Sequence, residues 1–187
     1  MKKIIGTLIL KIMGWKSNYP QETMVDKCVM IAAPHTSNWD LIFALSVFWK
    51  HEIALKYFIK DSYTKGIHGW FFKKLGAIGV DRSNKEKRGN LVQSAIKTIK
   101  NKDKIVLMVP AEGTRKKVQK WKTGFYHIAK NAKVPVALGY LDYKNKIAGV
   151  GNLVYLTDDF ETDMGKIEAF YKNIEAKHPE LYNQKIY

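Results

Sequence analysis

The stretch from residue 27 to residue 49 constrains the fold most. An apolar run with no polar interruption, residues 28–33, leads into Pro34-His35-Thr36-Ser37-Asn38-Trp39-Asp40, and a second largely apolar run, residues 41–49, follows at once. The first run suits a strand covered on both faces in the middle of a parallel sheet. The second is long enough for a helix, and Ser37 three residues before Asp40 is a helix-start signal. A buried strand that crosses through a short polar loop into a helix is the unit from which layered α/β folds are built.

A histidine and an aspartate share that crossing. Five residues apart within one continuous helix, their side chains would diverge by about 140°. With His35 in the loop and Asp40 in the first helical turn, the chain can fold back and bring imidazole to carboxylate. An imidazole held at one nitrogen by a carboxylate is the arrangement of a general base. The plainer account of Asp40 is a capping acid that serves only the helix start.

The rest of the chain alternates in the same way. Strands are expected over residues 52–60, 77–80, 105–109 and 134–138, the last tolerating Pro135 near its beginning. Helices are expected over 66–75, 91–100, 122–133 and 167–176 from their apolar spacing. Residues 14–26 read as a polar connection and 81–88 as a charged, solvated loop. Gly151-Asn152 between two short strand candidates, 146–150 and 153–156, reads as a hairpin turn. At 187 residues this predicts one α/β domain with a mainly parallel or mixed central sheet flanked by helices. An N-terminal amphipathic helix precedes it, giving a division into residues 1–16 and 17–187.

That first helix carries Ile4, Ile5, Leu8, Ile9, Ile12 and Met13 as one stripe, with lysines before and within it. The stripe serves either a membrane surface or the protein's own core. No stretch reaches the roughly 20 apolar residues that span a bilayer. The formal net charge of +15 favours an anionic partner without choosing among nucleic acid, lipid and phosphorylated small molecule. Lone Cys28 sits in an apolar run and reads as core, and His127 as a surface or packed residue. No Walker-type loop, HExxH pair or acidic metal cluster is present, so no metal and no cofactor are expected.

A second block, Glu112-Gly113-Thr114-Arg115-Lys116-Lys117, follows the clearest strand. Gly113 permits a tight turn, and the three cations can meet phosphate oxygens, Arg115 bidentately. A simple anion patch gains nothing from Glu112, whereas a site that holds an arginine or binds a hydroxyl can use it.

Four segments in order resemble the glycerophospholipid acyltransferase family, which includes 1-acylglycerol-3-phosphate acyltransferase. They are His35 through Asp40, the run Gly76-Ala77-Ile78-Gly79-Val80-Asp81-Arg82, the block Glu112 through Arg115, and Val134-Pro135-Val136. The chain departs from the family pattern in having Pro110 one residue farther from Glu112 and Pro34 rather than asparagine before the histidine. The resemblance implies that His35 is the general base and Asp40 its orienting partner. It also implies that Arg82, Glu112, Gly113, Thr114 and Arg115 bind the substrate and its phosphate. By the same resemblance the donor is acyl-CoA or acyl carrier protein, and the acceptor a lysophospholipid, first of all 1-acylglycerol-3-phosphate. A peripheral location at the cytoplasmic face of an anionic membrane follows, with contact through residues 4–13, Trp15, Lys16, Trp70, Phe71 and Phe72. A different hydroxylated lipid or glycolipid is the alternative acceptor. From another class, the basic and aromatic side chains of Trp39, Lys56, Tyr57, Trp70, Lys73 and Lys74, with Lys116, Lys117, Lys120 and Lys122, suit single-stranded nucleic acid. No recognised nucleic-acid motif accompanies them, and specific nucleic-acid binding is not expected.

Overall fold

The computed structural model describes residues 1–81, 85–157 and 159–187, and the side chains of these residues apart from those of 68 and 85–90. The elements are α1 (Lys2–Ile12), β1 (Lys16–Asn18), β2 (Lys27–Ala32), α2 (Trp39–Lys50), β3 (Leu55–Lys60), α3 (Gly66–Lys74), β4 (Ala77–Val80), α4 (Lys85–Lys100), β5 (Ile105–Val109), α5 (Gly124–Ala132), β6 (Val136–Asp142), β7 (Ile147–Val154) and α6 (Phe160–Tyr171). The strands form one sheet in the order β1-β7-β6-β2-β5-β3-β4. Every neighbouring pair is parallel except β6 with β7, which is antiparallel, so the sheet is mixed as expected.

Alternation along the central strands builds two cores. Val29 and Ile31 of β2, with Ile105 and Leu107 of β5, face the layer of α4, α5, α6 and the C-terminal segment. Cys28 and Met30, with Val106 and Met108, face the layer that holds α2. Both faces of these strands are dry, which is why their sequence is continuously apolar. Cys28 is a core residue, 1% exposed. His127 lies exposed on α5.

The helix α1 lies along α2. It turns Gly6 and Leu10 inward, while Ile4, Ile5, Leu8, Ile12 and Met13 remain exposed. Ile9 of the stripe is half-buried, so the packing of α1 on the domain rests on Gly6, Leu10 and part of Ile9.

Four local expectations are corrected. The connection 14–26 contains the short edge strand β1, paired to β7 through Lys16, Ser17 and Asn18. The charged segment 81–88 is not all loop, because α4 begins at Lys85. The last helix starts earlier, at Phe160, where Asp159 caps it by accepting from Thr162 N, and it ends at Tyr171. Gly151-Asn152 is no turn: β7 continues through it, with an irregularity in its pairing to β6 between Val150 and Leu153. A Cβ on Gly151 would collide with the Phe170 ring, so this glycine serves close packing. The actual hairpin joins β6 to β7, and Asp142 organises its turn by accepting from Lys144 N, Asn145 N and Asn145 Nδ2. That is the Asx chemistry of a turn without an Asn-Gly signature.

Candidate active site

Because β2, β3, β4, β5 and β6 all run the same way, their C-terminal ends deliver five loops to one edge of the sheet. Such edges are where open α/β sheets bind ligands. From β2 comes the loop with His35, from β3 Lys60, from β4 Asp81, from β5 the block at Glu112, and from β6 the turn with Tyr143. Arg82 lies outside the described residues.

At the centre, His35 Nδ1 is 3.0 Å from Asp40 Oδ2. The same oxygen accepts the backbone N–H groups of Thr36 at 3.0 Å and Ser37 at 2.9 Å. Asp40 thus holds the loop and the imidazole together: α2 begins at Trp39 after Asn38, and the N–H groups that Asp40 accepts belong to the loop before the helix rather than to its first turn. Its other oxygen, Oδ1, accepts from Tyr143 Oη at 2.6 Å. With four hydrogen bonds the carboxylate is 5% exposed without being left unsatisfied. A carboxylate can only accept, so Nδ1 of His35 carries a proton. In the neutral ring Nε2 then holds the lone pair.

Glu112 turns inward from the β5 loop. Its Oε1 accepts the backbone N–H of His35 at 2.7 Å, pinning the loop that carries the imidazole. The residue is 1% exposed, and its Oε2 has no hydrogen-bond partner among the described residues. Burial pushes its pKa up to about 7, and the nearby Asp40 charge adds to this, while the bond from His35 N opposes it. Arg115, by contrast, is exposed. What Glu112 fixes is the histidine loop.

Gly113 has φ +68, a left-handed conformation that glycine adopts without strain. Gly113, Thr114 and Arg115 line a cavity of about 660 Å³ that His35 and Asp40 line as well. Lys60 and Tyr63 also line it. Deeper in, between α2 and the sheet, the wall becomes apolar through Met30, Ala44, Val47, Phe48, Phe72 and Met108. A polar, cationic mouth beside an imidazole and an apolar interior fit an amphiphile. The volume falls within the range of about 300–1,000 Å³ usual for small-molecule sites. Among the described residues no group of His, Cys, Asp and Glu could hold a metal ion.

Two supports were invisible in the sequence. Tyr143 is 103 residues from Asp40 and carries no local motif. Near the C-terminus, His178 N donates to Thr36 Oγ1 at 3.2 Å, tying the last segment to the histidine loop.

The Acyltransferase family model matches residues 16–137. Over 177 residues the chain is 24% identical to a 1-acyl-sn-glycerol-3-phosphate acyltransferase of Streptococcus pneumoniae (strain ATCC BAA-255 / R6), covering 86% of this chain. It spans 65% of that relative's length, less than two thirds. In fold it is similar to the crystal structure of the 1-acyl-sn-glycerophosphate (LPA) acyltransferase of Thermotoga maritima, with a TM-score of 0.64 at 16% identity. That likeness covers 90% of this chain and 74% of the other. With the family model spanning more than half of its residues, the β2 loop and the β5 block included, the chain belongs to the glycerophospholipid acyltransferase family.

Proposed function

We propose that this protein transfers a fatty acyl group from acyl-CoA or acyl carrier protein to the free hydroxyl of a lysophospholipid, 1-acylglycerol-3-phosphate first among them. The observation that carries the reading is the His35 Nδ1 to Asp40 Oδ2 bond of 3.0 Å at the wall of a cavity that is cationic at its mouth and apolar inside. Nε2 of His35 takes the proton of the acceptor hydroxyl as that oxygen attacks the thioester carbonyl. Asp40 stabilises the imidazolium. When the tetrahedral intermediate collapses, the carbon–sulfur bond breaks, and the imidazolium returns the proton to the departing thiolate. The nucleophile is the substrate's own oxygen, so the chain needs no acylated side chain of its own.

In this reading Arg115, Thr114 and Gly113 receive the acceptor's phosphate, with Arg82 joining them and Glu112 holding the loops beneath. The acyl chain lies between α2 and the sheet. The S. pneumoniae relative's name supports the acceptor. The exposed stripe of α1 supports a peripheral position on an anionic membrane, with residues 1–16 as the contact element and 17–187 as the acyltransferase domain.

The test is acyl transfer from a labelled long-chain acyl-CoA, and from acyl carrier protein, to a panel of lysophospholipids in mixed micelles. Wild type is run beside His35→Ala. Transfer to 1-acylglycerol-3-phosphate is expected, reduced by about 10²–10⁴-fold in H35A, the usual worth of a general base. Near-wild-type turnover by H35A overturns the role of His35. Transfer only to other hydroxylated lipids or glycolipids replaces the acceptor and keeps the chemistry.

A further inference from the structure

We propose that Tyr143 is a positioning residue for the His35–Asp40 pair, a phenol that fixes Asp40 from the side opposite the imidazole and sets how strongly the carboxylate acts on the histidine. The bond from Tyr143 Oη to Asp40 Oδ1 is 2.6 Å, within the range of a charge-assisted O–H to carboxylate bond. Three donors meet Oδ2, and Oδ1 receives this one. With Oδ1 held, the carboxylate plane cannot rotate about the Cβ–Cγ bond without giving up a bond at each oxygen. Oδ2 is thereby kept in line with His35 Nδ1.

The phenol itself is anchored three ways. Its ring stands edge-on to Trp15 at 4.9 Å and to Phe43 of α2 at 6.1 Å. Its backbone N–H donates to Glu175 O at 3.0 Å. The turn that carries it is closed by Asp142. Burial first, and then the bond to Asp40, raise the phenol's pKa, so it remains a donor throughout the neutral range. Trp15 also stacks on Phe43, with ring centroids 4.2 Å apart. The residues that follow α1 therefore help to seat the tyrosine.

The sign of its effect is fixed by electrostatics. A donor on Oδ1 draws negative charge away from Oδ2, which faces the imidazole. Removing it leaves more charge beside His35 and favours the imidazolium. The other titratable and charged groups around the pair are Glu112 below the His35 backbone, Arg115 and Lys60 lining the same cavity, and Lys177 and His178 of the C-terminal segment. None of these is altered by exchanging one phenol for a phenyl ring.

The experiment compares wild type with Tyr143→Phe, which keeps the ring in its aromatic cluster. The His35 imidazole is titrated by long-range ¹H–¹⁵N correlation, with H35A for assignment, and steady-state kinetics follow as a function of pH. The proposal predicts that the His35 midpoint moves upward in Y143F and that the acid limb of kcat/KM moves with it. It also predicts that kcat falls roughly tenfold, a fraction of the general-base contribution, with KM little changed. An unmoved midpoint overturns it and leaves Tyr143 as packing. A rise in KM with kcat and midpoint unchanged overturns it too, since the phenol then touches substrate. The kinetic part rests on the acyl-transfer reading, but the titration does not. A shifted midpoint in a protein that transfers no acyl group would keep the positioning role and reject that reading alone.

Discussion

Glu112 is a carboxylate placed where a carboxylate is expensive. Its Oε1 holds the His35 loop, but its side chain is almost wholly buried and Oε2 finds no partner among the described residues. Raised from 4.5 to about 7, it binds a proton in the folded chain across a window where the unfolded chain has released it. Stability must therefore fall as pH rises through that window, and below it the raised value costs nothing. The shift corresponds to roughly 3 kcal/mol between the two ends. Glu112→Gln keeps an acceptor for His35 N and removes the titration. The urea midpoint of the wild type should drop between pH 5 and pH 8, and that of E112Q should change less. Parallel profiles would mean that some other group carries the pH dependence. The sequence placed Glu112 beside Arg115 in one motif and suggested that it positions the arginine or the acceptor. What the motif could not convey is that the bend at Gly113 turns the two neighbours to opposite sides, one into the core and one to solvent.

At the scale of elements, legibility followed periodicity. The crossing from β2 to α2 was readable because a continuously apolar run, a polar loop and a second apolar run encode strand, loop and helix directly. β5 fell at the expected residues for the same reason. The β6–β7 hairpin is misplaced in the sequence reading because Gly151-Asn152 matches a turn dipeptide, whereas the actual turn is built on Asp142 and holds no glycine. Gly151 is small for the sake of Phe170, a contact across 19 positions that no local window contains. Strand propensity and packing thus make opposite forecasts for Gly151→Val. Propensity alone favours the β-branched residue. Overpacking against the ring predicts a loss of about 1–3 kcal/mol in urea unfolding. A stabilised G151V would show that the ring gives way and that the packing argument is wrong. Tyr143 was illegible for a related reason: its importance comes from where the hairpin sets its hydroxyl, and nothing within its own neighbourhood in the chain refers to Asp40.

The whole molecule concentrates apolar exposure on one pair of helices. Ile4, Leu8 and Ile12 of α1 are 71%, 53% and 73% exposed, and Ile67, Trp70 and Phe71 of α3 are exposed as well. The two helices meet where Lys2 Nζ donates to Lys74 O at 3.4 Å, and α3 contributes Phe72 to the cavity wall. Lysines flank this surface within a chain of net charge +15, the combination that attracts an amphipathic helix to anionic lipid. No helix among the described residues is long and apolar enough to cross a membrane. Replacing Ile4, Leu8 and Ile12 together by glutamine keeps helix propensity and removes the stripe. Each such side chain is worth about 1.5–3 kcal/mol when fully withdrawn from water, so even partial insertion of three makes the loss of binding to anionic vesicles exceed roughly tenfold. The melting temperature should stay near the wild-type value, because the stripe contributes little to the domain's own core. Vesicle flotation and a thermal melt of the same variant separate the possibilities. Unchanged flotation would deny the stripe its membrane role, and a lowered melt would return it to the fold.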